Sequence, residues 1–139
     1  MREILFRGKR VDNGEWETGS LVYARMGTSE EQASIADKMT AYHTPVIPES
    51  IGQYTGLKDK NGTRIFEGDI VKITGFHTTA IAAVKYGSPS EKSTSWGWYF
   101  DDNNGHTYHL ESQAFCKDYN AIIIGNIHDN PEMVEGDRQ

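Results

Sequence analysis

Two groups of residues in this 139-residue chain have the types and spacing that chemistry requires. Glu67 and Asp69 flank Gly68, and two carboxylates so placed can bind a divalent metal or divide acid and base roles. Asp101, Asp102, His106 and His109 surround an Asn-Asn-Gly sequence, where imidazole and carboxylate can meet across a hairpin around a metal, as a small hydrolase or nuclease would need. Each group has a plainer reading. Glu67 and Asp69 sit on a turn with no matching His or Cys beside them, which points to corner and turn capping. His106 and His109 are three residues apart, and on a strand that sets them on opposite faces. Thr107 and Tyr108 between them favour a strand. His43, His77 and His128 are scattered. Cys116 is the single cysteine. It lies between Phe115 and Lys117 without a partnering His motif and reads as a core or semi-buried thiol. No catalytic, cofactor-binding or metal-ligating residue is assigned on these grounds, and no cofactor is expected.

Rings and cations form the second set. Trp96, Trp98 and Phe100 alternate along a strand and so share a face. Such a row can stack bases in a single-strand binder, or fill a core or a subunit interface. The cations that accompany base stacking are missing nearby. Lys92 is alone in the preceding loop, and Asp101-Asp102 follow directly. A core or a protein interface is therefore favoured over single-stranded nucleic acid. The first ten residues hold Arg2, Arg7, Lys9 and Arg10 against Glu3, while the tail from Asp129 to Gln139 holds Asp129, Glu132, Glu135 and Asp137 against Arg138. Solubility and local pairing explain this asymmetry. Head-to-tail complementarity between subunits and a nucleic-acid patch are the sharper alternatives. The candidate interaction surface is Trp96, Trp98, Phe100, Arg2, Arg7, Lys9 and Arg10.

The elements that position these side chains are clearest from Gln53 to Thr74. Asp59-Lys60-Asn61-Gly62 is a tight-turn sequence, since Asn and Gly both tolerate a left-handed backbone. Arg64-Ile65-Phe66 reads as a short strand after that hairpin. Gly68 allows a sharp bend, and the Asp69 carboxylate can accept bonds from nearby backbone N–H groups. Ile70 to Thr74 is a half-buried strand, with Val71 and Ile73 facing one way and Ile70, Lys72 and Thr74 the other. A Gly-Asp corner ahead of a β-branched strand suits a small, strongly bent barrel.

Around this segment, Arg2 to Lys9 alternates like a strand. Asp12-Asn13-Gly14 is a hairpin turn, and Leu21-Val22-Tyr23 lies on the return path, with Gly19 a bulge and Trp16 a core anchor. Residues from about 26 to 40 are polar. Ser29-x-x-Gln32 resembles a capping box, which predicts a mobile excursion with a helical turn. Tyr42 to Ile47 is extended ahead of its prolines, and Pro48-Glu49-Ser50 suits one helical turn. Ala80 to Tyr86 and Trp96 to Phe100 are strands, separated by a polar loop from Gly87 to Ser95. Asp101 to Gly105 is a hairpin turn, and His106 to Leu110 is the return. Glu111 to Cys116 is a short helical or irregular link. Tyr119 to Ile127 is apolar on both faces, which predicts a strand interior to the sheet that closes the barrel. Asn130-Pro131-Glu132 carries helix-start chemistry, with Asn as the N-cap.

Composition bounds the rest. A chain of this length buries roughly two-thirds of its unfolded surface and needs no staple. A single cysteine excludes a disulfide framework and fits a reducing cytoplasm. No stretch approaches the ~20 apolar residues of a membrane span, and none resembles a signal peptide. The net charge of −6 argues against sequence-independent duplex binding. Phosphate loops, dinucleotide fingerprints, Cys-x-x-Cys and nucleophile elbows are absent.

Three stretches carry a family resemblance. The first runs Arg2-Glu3-Ile4-Leu5-Phe6-Arg7-Gly8-Lys9-Arg10, followed by Gly14-Glu15-Trp16 and Gly19-Ser20. The second runs from Ile51-Gly52-Gln53-Tyr54-Thr55-Gly56 through Asp59-Lys60-Asn61-Gly62 to Phe66-Glu67-Gly68-Asp69-Ile70-Val71. The third is Ile124-Gly125-Asn126-Ile127-His128-Asp129-Asn130-Pro131-Glu132. In this order they resemble the YopX family of phage and prophage proteins from Gram-positive bacteria. The resemblance implies a β-rich fold and brings no established catalytic residues. Residues 26–44 and 75–105 match it poorly.

The expected fold is mostly β with minor helix. A hairpin lobe occupies residues 1–52, a small bent SH3-like barrel residues 53–130, and a short helical turn with a polar tail residues 131–139. The expected function is a non-enzymatic binding or assembly module in the bacterial cytoplasm, acting through protein contacts and self-association. A metal-dependent hydrolase or nuclease using Glu67, Asp69, Asp101, Asp102, His106 and His109 is one alternative. Nucleic-acid binding through Arg2, Arg7, Lys9 and Arg10 is another.

Overall fold

A computed structural model describes residues 4–25, 30–37, 39–40, 42–75, 78–88, 96–103, 106–110 and 113–135. The described chain is mostly strand, all of it antiparallel, and divides into Met1–Tyr54 and Thr55–Gln139.

The first unit grows from the Asp12-Asn13-Gly14 turn. The Gly14 N–H donates to the Arg10 carbonyl at 3.0 Å, and the Asn13 side chain accepts the Glu15 N–H at 2.9 Å. β1 (Phe6–Lys9) and β2 (Trp16–Ala24) pair on either side, with Lys9 opposite Trp16 and Arg7 opposite Thr18. β3 (Gln32–Ala36), β4 (His43–Pro45) and the start of β5 (Gly52–Lys58) extend the hairpin into the order β4-β3-β2-β1-β5. A 3-10 turn at Pro48–Ser50 leads into β5, and the Ser50 hydroxyl accepts the Lys9 N–H at 2.8 Å. Ala33, Ile35 and Val46 form the core of this unit, flanked by Phe6, Leu21 and Ile51.

Two expectations are corrected here. Gln32–Ala36 is a strand, where the sequence predicts a helical turn in a mobile excursion. Ala33, Ser34, Ile35 and Ala36 are all buried. Gln32 does not act in a cap, because its amide donates to the Ala33 and Val46 carbonyls. Part of the expected excursion (26–29 and 38) lies outside the described residues. Gly19 is not a bulge, since it pairs with Phe6 at the end of a β1–β2 register that has no shift. Glycine is needed there because a Cβ would run into the Ala36 carbonyl oxygen.

In the second unit, the end of β5 and β6 (Arg64–Phe66) flank the Asp59 to Gly62 turn. β7 (Asp69–Gly75), β8 (Thr78–Gly87), β9 (Gly97–Asp101), β10 (Thr107–His109) and β11 (Ile122–Asn126) form a sheet in the order β10-β9-β8-β7-β11. α1 (Gln113–Asp118) and α2 (Glu132–Glu135) complete it. The core holds Ile65, Val71, Ile73, Ala82, Val84, Phe100, Leu110, Cys116 and Ala121. Among the described residues no helix is long and apolar enough to cross a membrane.

β11 lies at an edge of this sheet and not in its interior. Its apolar residues have another cause. All of them are half-buried, and Ile123 packs on the core. The pairing with β7 shifts between Ile123 and Gly125, so Ile124 interrupts the alternation. The free side of the segment is engaged by the Asp59 turn: the Lys60 N–H donates to the Ala121 carbonyl at 2.8 Å. Such contacts blunt an edge without a further strand.

Candidate functional site

The Glu67 to Asp69 corner is built from backbone. Gly68 has φ +91°, which L side chains rarely adopt, and its N–H donates to the Val84 carbonyl at 2.9 Å. The Asp69 carboxylate is 2% exposed and accepts the Phe66 N–H at 2.7 Å. This is the corner capping that the sequence suggests. One neighbour is unexpected. The Gly68 carbonyl accepts the Ile127 N–H, and the His128 Nε2 lies 3.5 Å from where a Gly68 Cβ would stand. An imidazole therefore does come alongside this corner. The preceding Asn126 arranges it, its side-chain oxygen accepting the N–H groups of His128 and Asp129 at 3.0 and 2.9 Å. Asn130 has a different use from the one expected. Its side-chain oxygen accepts the Asn126 N–H at 3.3 Å, turning back from α2 toward β11.

The second acidic group divides into separate contacts. Asp101 pairs with Lys85 at 2.8 Å and accepts the Asn103 N–H at 2.8 Å. Asp102 meets His106 twice, through the imidazole Nδ1 at 3.0 Å and through the His106 N–H at 3.0 Å. His109 lies on β10 opposite Tyr99. Among the described residues no three His, Cys, Asp or Glu side chains are grouped so as to hold a metal ion.

Cys116 is fully buried. Burial, and then the charge of Asp59, push its thiol up to about 11. A thiol so shifted is not a nucleophile at neutral pH.

The aromatic row shares one face of β9 and runs from core to solvent. Phe100 is 0% exposed and tilts against Phe115 at 5.8 Å between ring centres. Trp98 is half-buried and meets Tyr86 of β8 edge-on at 4.9 Å. Trp96, just before β9, is 73% exposed, and Tyr86 is exposed as well.

The cations of the N-terminal strip separate. Arg2 lies outside the described residues. The Arg7 guanidinium carbon sits 4.7 Å from the centre of the Trp16 ring and the Lys9 Nζ 5.8 Å. Arg10 makes a bidentate pair with Asp12, at 2.9 and 2.8 Å, and reaches Glu17 at 3.3 Å. Its hydrogen bond holds the Asp12 carboxyl below the ordinary carboxylate range. Trp16 is thus a half-buried partner of cations, where the sequence suggests a core anchor. The register that sets Lys9 opposite Trp16 is the signal that would have found it.

Sequence reasoning also missed the reach of Asp59. This carboxylate is 4% exposed. Its Oδ1 accepts the Asn61 and Thr63 N–H groups, each at 2.9 Å, and its Oδ2 accepts the Ile123 N–H at 3.1 Å. The same acid closes the turn and attaches β11.

These features define a two-unit, mostly β protein whose described acids mainly shape turns and pair with cations. The family model described as "YopX protein" matches residues 5–135, and the chain belongs to the YopX family. Among solved structures, the chain is similar to the crystal structure of protein EF1440 from Enterococcus faecalis. Identity is 21%, with 96% of this chain and 99% of that chain covered, at a TM-score of 0.53. That likeness concerns the fold. No curated protein matches the chain.

Proposed function

We propose that this chain is a non-enzymatic binding or assembly module of phage or prophage origin, working in the bacterial cytoplasm through protein contacts and self-association. The observation that carries the reading is the outer end of the β9 row. Trp96 is exposed to 73%, with Tyr86 beside Trp98 on the adjoining strand. Large rings at a surface, continuous with a packed core, are the kind of anchor around which protein interfaces form. Phe100 fixes the strand from within, and Trp96 and Trp98 meet the partner. In this reading the second unit is a small SH3-like barrel bent at the Gly68-Asp69 corner.

Static light scattering on the full chain, together with capture experiments, tests this. The expected result is a defined oligomer or a stable complex with a second protein. A monomer in every buffer, with no captured partner, contradicts it.

A further inference from the structure

A second feature of the Thr55–Gln139 unit points to a small ligand. An open pocket of about 440 Å³ is lined by Asp59, Lys60, Gln113 and Lys117, and the surface it presents is mostly apolar. That size falls within the range of sites for small organic molecules. Its frame is fixed by hydrogen bonds. The Gln113 side-chain amide pairs with the backbone of Lys58 as a strand would, accepting the Lys58 N–H at 2.9 Å and donating to the Lys58 carbonyl at 2.6 Å. The Lys60 ammonium donates to the Asn120 side-chain oxygen at 2.6 Å. Gln113 and Lys117 are four residues apart on α1 and so share a face.

Arg10 and Lys85 are neutralised by Asp12, Glu17 and Asp101. Among the described residues, no carboxylate pairs with Lys60 or Lys117. Asp59 also lines the cavity and keeps its negative charge while both of its oxygens accept backbone N–H groups, so the two lysines leave the named lining with one positive charge in excess. Two lysines therefore line one pocket on a chain of net charge −6. Their aliphatic stems add to its walls while their heads meet solvent.

We infer that this cavity binds a small organic carboxylate with a compact apolar body. The body would replace water on the apolar walls, and the carboxylate would accept charge-assisted hydrogen bonds from Lys60 and Lys117. A neutral alcohol of the same shape would keep the first interaction and lose the second. A primary amine would be repelled.

The test is an amide-resonance titration of the full chain with 4-phenylbutyrate, 4-phenylbutan-1-ol and 4-phenylbutylamine. The expected result is saturable shifts at Lys60, Gln113 and Lys117 with phenylbutyrate. The alcohol should bind about tenfold or more weakly, the loss expected for hydrogen bonds to a charged group, and the amine should not bind. The double variant Lys60→Gln, Lys117→Gln should lose preference for the acid while keeping the wild-type melting temperature, since both side chains are exposed. Equal binding of acid and alcohol, saturable shifts centred on other residues, or no saturable shift with any probe would each overturn the proposal. So would a double variant that melts normally and keeps its preference for the acid.

Discussion

The Asp59 Oδ2 accepts the N–H of Ile123 at 3.1 Å, joining two residues 64 apart in sequence. The opposite oxygen closes the Asn61-Gly62 turn. Removing the carboxylate leaves three backbone N–H groups to find other partners. Asp59→Ala should therefore cost on the order of 2–4 kcal/mol of stability in urea unfolding. Asp59→Asn should cost less, because its amide oxygen can still close the turn. If the Ala variant unfolds at the wild-type midpoint, the carboxylate does not attach β11.

Asp69 caps the Gly68 corner through the Phe66 N–H. Asp69→Ala should lower stability by about 1–3 kcal/mol, because the Phe66 N–H is buried and loses its acceptor. Wild type and variant should give the same response in a divalent-cation thermal-shift screen. A cation-dependent rise in melting temperature that disappears in Asp69→Ala would restore the metal-site reading.

The two ends of the β9 row should respond oppositely to truncation. Phe100→Ala opens the core and should cost about 3–5 kcal/mol. Trp96→Ala should leave stability within about 0.5 kcal/mol. Equilibrium unfolding of both variants checks the contrast. A large loss from Trp96→Ala would place that ring in the fold and not at an interface.

The Cys116 thiol supplies a pH prediction. Its folded-state pKa, about 11, lies above the ordinary thiol value of 9.0. Between these values the unfolded chain releases the proton while the folded chain keeps it. The thiol's contribution to stability is thus fully present below pH 9 and lost as pH rises toward 11. Stability in that window should fall more steeply for wild type than for Cys116→Ala. Native protein should also react with a thiol reagent only as fast as it unfolds, whereas rapid modification at pH 7 would contradict burial.

How much of this could be read in the sequence depended on how local the cause was. The Asn13-Gly14 and Asn61-Gly62 turns, the Gly68 corner and the Asp69 cap are set by adjacent residues, and turn chemistry identified them. β3 does not stand out in the sequence because Ala33, Ser34 and Ala36 are small. Their alternation carries little hydrophobic signal, and the polar residues before them mimic a capping box. β11 reads as an interior strand because both faces are apolar; the register shift at Ile124 that breaks its alternation, and the cover of its edge by Asp59 and Lys60, depend on residues remote in sequence. Alternation gave the shared face of Trp96, Trp98 and Phe100. The fall in burial along that row depends on where the core ends, and alternation carries no such information. Trp16 reads as a core residue because its cation partners are set by strand register and not by proximity in the chain.

Sedimentation velocity over a concentration series, comparing wild type with Trp96→Ala, tests the central claim most directly. Wild type is predicted to sediment as a defined oligomer and the variant to shift toward monomer with its fold intact. A wild type that stays monomeric throughout, or a variant that associates as tightly as wild type, would contradict an assembly surface centred on Trp96.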